Sequence, residues 1–97
     1  MSYPTKYPVL EFYLNQLYTD EQLESYASRD VWQTVVRHQR HTIAKVGWIR
    51  ELRRDLKRVS AEEFHTLASV CLGWLIAREE SDWLLRLLRT EWGHIRL

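Results

Sequence analysis

Proline is almost missing from this chain: of 97 residues only Pro4 and Pro8 are proline, and both fall within the first eight positions. Nothing after Pro8 is therefore barred from a helix by a locked φ or a missing N–H. Glycine is nearly as rare, with three residues isolated at 47, 73 and 93, which leaves no Gly-rich phosphate loop or nucleotide motif. The lone cysteine, Cys71, excludes an internal disulfide, and its apolar neighbours give it the reading of a small core side chain. No apolar run approaches the roughly 20 residues needed to cross a bilayer. Met1 to Tyr7 lacks the charged-then-apolar layout of a secretory leader, so the expectation is a cytoplasmic protein without membrane contact. There is no alternation long enough to predict a strand, no internal repeat and no low-complexity segment.

What the chain does have is 45% hydrophobic and 28% charged residues, with five tryptophans. That composition is globular, and the length predicts one domain over residues 1–97, enough for a single core but not for two lobes with a cleft between them. The net charge of +1 hides an uneven distribution. Residues 1–36 carry two bases and five acids (−3), residues 37–58 eight bases and two acids (+6), and residues 59–97 four bases and six acids (−2). A basic centre between two acidic ends means that total charge gives no guide to a partner.

Pro8 suits the first position of a helix, and Leu10, Tyr13, Leu14, Leu17 and Tyr18 recur at three- and four-residue intervals, so a first helix should end near Tyr18. Thr19 with Gln22 has the form of a capping box and opens a short second helix that buries Leu23, Tyr26 and Ala27. Ser28 and Asp30 offer the next N-cap. From Val31 to Arg58 the only breaker is Gly47, and Trp32, Val35, Val36, Gln39, Ile43, Val46, Ile49 and Leu56 form one stripe. This reads as a long third helix, roughly 42 Å if straight, with a kink at Gly47. Ser60 and Glu63 form another capping box for a fourth helix carrying Phe64, Leu67, Ala68, Cys71, Trp74 and Leu75, widened by Leu72 and Ile76 into what should be the most buried element; it ends at Glu79 and Glu80. Ser81 and Asp82 would cap a last helix with Trp83, Leu84, Leu87, Leu88 and Trp92, and Gly93 would terminate it in the left-handed conformation.

The predicted fold class is all-α: a compact bundle of four to five short-connected helices, roughly antiparallel. Its expected core is Leu10, Leu14, Leu17, Val36, Ile43, Val46, Phe64, Leu67, Cys71, Leu75, Leu84 and Leu88.

Little points to catalysis. His38 and His41 have a spacing that could share a metal, but two ligands do not make a zinc site and Arg37 and Arg40 repel a cation; His65 and His94 bear no fixed relation to the pair. The acids sit at helix starts or beside bases at helical spacing, with Glu51 and Asp55 in reach of Arg54, Lys57 or Arg58, so no pair is nominated for acid–base work. No catalytic residue, metal or cofactor is expected, and the predicted activity is binding.

Two surfaces could bind. The basic helix carries Arg37, Arg40, Lys45, Arg50, Arg53, Arg54, Lys57 and Arg58, which could follow a phosphate backbone, although any amphipathic helix needs a solvated face. The acids Asp20, Glu21, Glu24, Glu62, Glu63, Glu79, Glu80 and Asp82 lie near helix ends, where the dipole already favours them. Large amphipathic side chains stand close to them, namely Tyr18, Tyr26, Trp83 and Trp92, of which some must be core and others could anchor an interface.

The opening Tyr7-Pro8-Val9-Leu10, the run Ile49-Arg50-Glu51-Leu52-Arg53-Arg54-Asp55-Leu56 and the later Ser81-Asp82-Trp83-Leu84 resemble helical immunity proteins of bacterial contact-dependent growth inhibition systems. The chain departs from that family at Leu17-Tyr18-Thr19-Asp20-Glu21, where the family has an aspartate- and histidine-rich stretch. The resemblance implies a cytoplasmic antidote that binds a toxin domain, often a nuclease, and blocks its active site or substrate surface. The acids at 20, 21, 24, 62, 63, 79, 80 and 82 would then mimic phosphates, with Tyr26 and Trp83 as anchors. Alternatives are a nucleic-acid-binding regulator using Arg37, Arg40, Lys45, Arg50, Arg53, Arg54 and Arg58, and a homodimer or adaptor that hides tryptophans.

Overall fold

The computed structural model describes residues 6–18, 29–42, 46–72 and 77–94. Among these residues there are five helices and no strand: α1 Pro8–Tyr18, α2 Arg29–Thr42, α3 Val46–Arg58, α4 Ala61–Leu72 and α5 Arg78–Gly93. The fold is an all-α bundle. The short helix expected after Thr19 lies outside the described residues.

Helix α1 begins at Pro8, where the absent N–H costs nothing. Its next two donors, the N–H groups of Val9 and Leu10, both reach Oδ2 of Asp55 at 3.1 Å. Asp55 is buried, 6% exposed, so its charge is compensated by two backbone donors and the positive end of a helix. The expected pairing of Asp55 with Arg54, Lys57 or Arg58 is thus corrected. Asp55 shares the inner face of α3 with Leu52 and Leu56, while Arg54, Lys57 and Arg58 are exposed.

In place of the long third helix of the sequence reading the described residues form two, Arg29–Thr42 and Val46–Arg58, the first parallel to α5 and the second antiparallel to it. Gly47 is the second residue of α3 and marks no kink within a helix. A straight 28-residue helix of roughly 42 Å would overrun a molecule whose longest extent is 34 Å. Folding back lets both apolar faces reach one core.

The capping box at Ser60 is present in full: Ser60 N donates to Glu63 Oε1 at 3.1 Å, and Glu63 N donates to Ser60 Oγ at 3.1 Å. The last helix differs from expectation at both ends. It starts at Arg78 after an extended Ala77 without a side-chain cap, so Glu79 and Glu80 occupy its first turn and do not end α4. Ser81 lies within the helix, fully buried. At the other end His94 keeps a right-handed backbone, φ −90° and ψ −2°, so Gly93 does not serve as a left-handed stop. Arg53 supplies what that turn would have supplied, donating from Nε to Trp92 O at 2.8 Å and from Nη2 to Gly93 O at 3.1 Å. Arg89 returns the favour to α3, donating to Leu56 O at 2.7 Å and Val59 O at 2.9 Å. Helices α3 and α5 therefore run antiparallel, each closing the other's C-terminal end.

Helix α1 packs on α3 and α4, α5 packs on α2, α3 and α4, and α2 rests chiefly on α5. The central and most buried helix is α5, not α4, whose Val70 is 75% exposed. Leu10, Leu14, Val36, Phe64, Cys71, Leu84 and Leu88 are buried as expected. Leu67 is only partly buried against that core. Ile43 and Leu75, and the side chains of Leu17 and Val46, lie outside what is described. At the centre Tyr13, Trp48 and Trp92 meet edge to face, with ring centroids 5.3 to 6.0 Å apart. Trp92, one of the suggested interface anchors, is wholly inside.

Candidate functional site

The acidic residues fall into separate groups. Asp20, Glu21, Glu24 and Tyr26 lie outside the described residues. Glu62 is exposed at the start of α4, and Glu63 beside it is half-buried and committed to structure. Its carboxylate accepts from Ser60 N and from Tyr7 Oη at 2.9 Å, with Lys6 Nζ at 3.9 Å, and these bonds hold its pKa below the ordinary value. Glu63 thus fastens the lead into α1 onto α4.

Glu79 and Glu80 lie in the first turn of α5, and Asp82 and Trp83 follow in the next. Arg29, at the start of α2, donates from Nη2 and Nε to the two oxygens of Glu80 at 3.0 and 3.3 Å. Its guanidinium also stands 5.1 Å from the ring of Trp83, within cation–π range. Asp82 accepts from Arg78 Nε at 3.3 Å, one turn back, and Glu79 is exposed. Because α4 and α5 are antiparallel, this group and Glu62–Glu63 lie at opposite ends, about the 18 Å length of a 12-residue helix apart. They do not make one surface.

The basic residues also divide. Arg37 Nε and Arg40 Nη1 reach the two carboxylate oxygens of Glu91 at 3.2 and 2.8 Å. Arg53 is spent on helix carbonyls. Lys45 lies outside the described residues, and Arg50, Arg54, Lys57 and Arg58 are exposed on α3.

Sequence reading missed Glu91, which is 7% exposed. Burial pushes its pKa up, but the hydrogen bonds from Arg40 and Arg37 outweigh this and leave it below the ordinary carboxyl value. A signal was present: position 91 continues the apolar stripe of Leu84, Leu87 and Leu88 at +7, +4 and +3, where an acid needs a partner.

Cys71 is a buried thiol whose pKa is raised to about 11 by burial, in keeping with a core side chain. Among the described residues no three His, Cys, Asp or Glu side chains could hold a metal ion. Nor is any described helix long and apolar enough to cross a membrane. Against known proteins the chain matches no family model, no curated sequence and no solved structure.

Proposed function

We propose that this chain is a cytoplasmic immunity protein that binds a cognate toxin domain, in the leading form a nuclease, and covers its active site or substrate surface. The observation that supports this reading best is the start of α5, where Arg29 bridges the Glu80 carboxylate and the ring of a half-buried Trp83, with Glu79 and Asp82 close by in sequence. Tryptophan and arginine are the residues that most often dominate interface energies. Carboxylates are the complement of a groove that binds phosphates. Glu80 and Asp82 are held by exposed arginine partners, and such pairs contribute only about 0–1 kcal/mol, so a toxin's cations can replace Arg29 and Arg78 at small cost. The chain acts in this reading by occupying its partner and performs no turnover.

The test is complex formation with the toxic C-terminal domain encoded immediately upstream, followed by calorimetry and a toxicity assay. Reversing Glu79, Glu80 and Asp82 to lysine should weaken binding by about 100-fold or more with helicity intact. No complex and no protection by the natural chain would end the proposal.

A further inference from the structure

We draw no further inference here: the strongest candidate, the outer face of the packed helices α1 and α4, where Phe12 is 54% and Val70 75% exposed, carries nothing because the structure does not show what covers it.

Discussion

Replacing Glu91 by glutamine removes one charge and almost no volume from the contact between α2 and α5. The carboxylate is nearly buried, while the side chains of Arg37 and Arg40 remain 60% and 30% exposed. Hydrogen bonds to charged groups contribute about 1.5–3 kcal/mol each when shielded, and exposed ion pairs about 0–1. One bond of each character, with an amide oxygen still able to accept from one arginine, gives a loss of about 2 kcal/mol. For a domain of this size that corresponds to a fall in Tm of about 8–16 °C, read by circular dichroism at pH 7. The pH dependence follows from the lowered pKa of Glu91 in the folded state. Its contribution is complete above the unfolded carboxyl value near 4.5 and disappears as the pH falls through the lower folded value. The gap in Tm between the natural chain and E91Q should therefore hold from pH 7 to about 5 and shrink below that. A gap under about 2 °C at pH 7, or one that stays constant into acid, would refute the clamp.

Asp55→Ala should cost about 3 kcal/mol by stranding the first donors of α1 in a buried setting, measured by urea denaturation. Trp92→Ala should cost about 3–5 kcal/mol and abolish the near-ultraviolet dichroism of the three-ring cluster. Ser60→Ala should cost about 1 kcal/mol, since it removes one half of a reciprocal cap. Cys71 should react with a thiol reagent at pH 8 much more slowly in the folded chain than in urea, because burial shields the sulfur and raises its pKa to about 11.

The parts legible in advance are those governed by neighbours in sequence. Helix α1 from Pro8 to Tyr18 and the box at Ser60 and Glu63 were both readable from residues within one turn. The parts that were not legible depend on residues far apart. Asp55 caps a helix 45 positions away, and Arg53 closes one 39 positions away, so no window along the chain displays either bond. Ser81 has the chemistry of an N-cap yet sits fully buried inside a helix that begins at Arg78, its N–H donating to Ala77 O at 2.9 Å, so the core claims the position that a local cap would have used. The division of that stripe between α2 and α3 also followed from size, as it was continuous in periodicity from Trp32 to Leu56 but too long for the body it had to cover. Of the acidic candidates, Glu79, Glu80, Asp82 and Trp83 come together on one helix end, whereas Glu63 is claimed by Tyr7 and Ser60.

Among the described residues, helix α2 leans chiefly on α5, with Trp32, Val35 and Val36 buried between ionic contacts at Arg29 and at Arg37 with Arg40. Peeling it away exposes less apolar surface than melting the whole molecule, so its amides should exchange with deuterium ahead of those of α5. An opening of that kind would bring Trp32 to solvent while the Tyr13–Trp48–Trp92 centre stays closed.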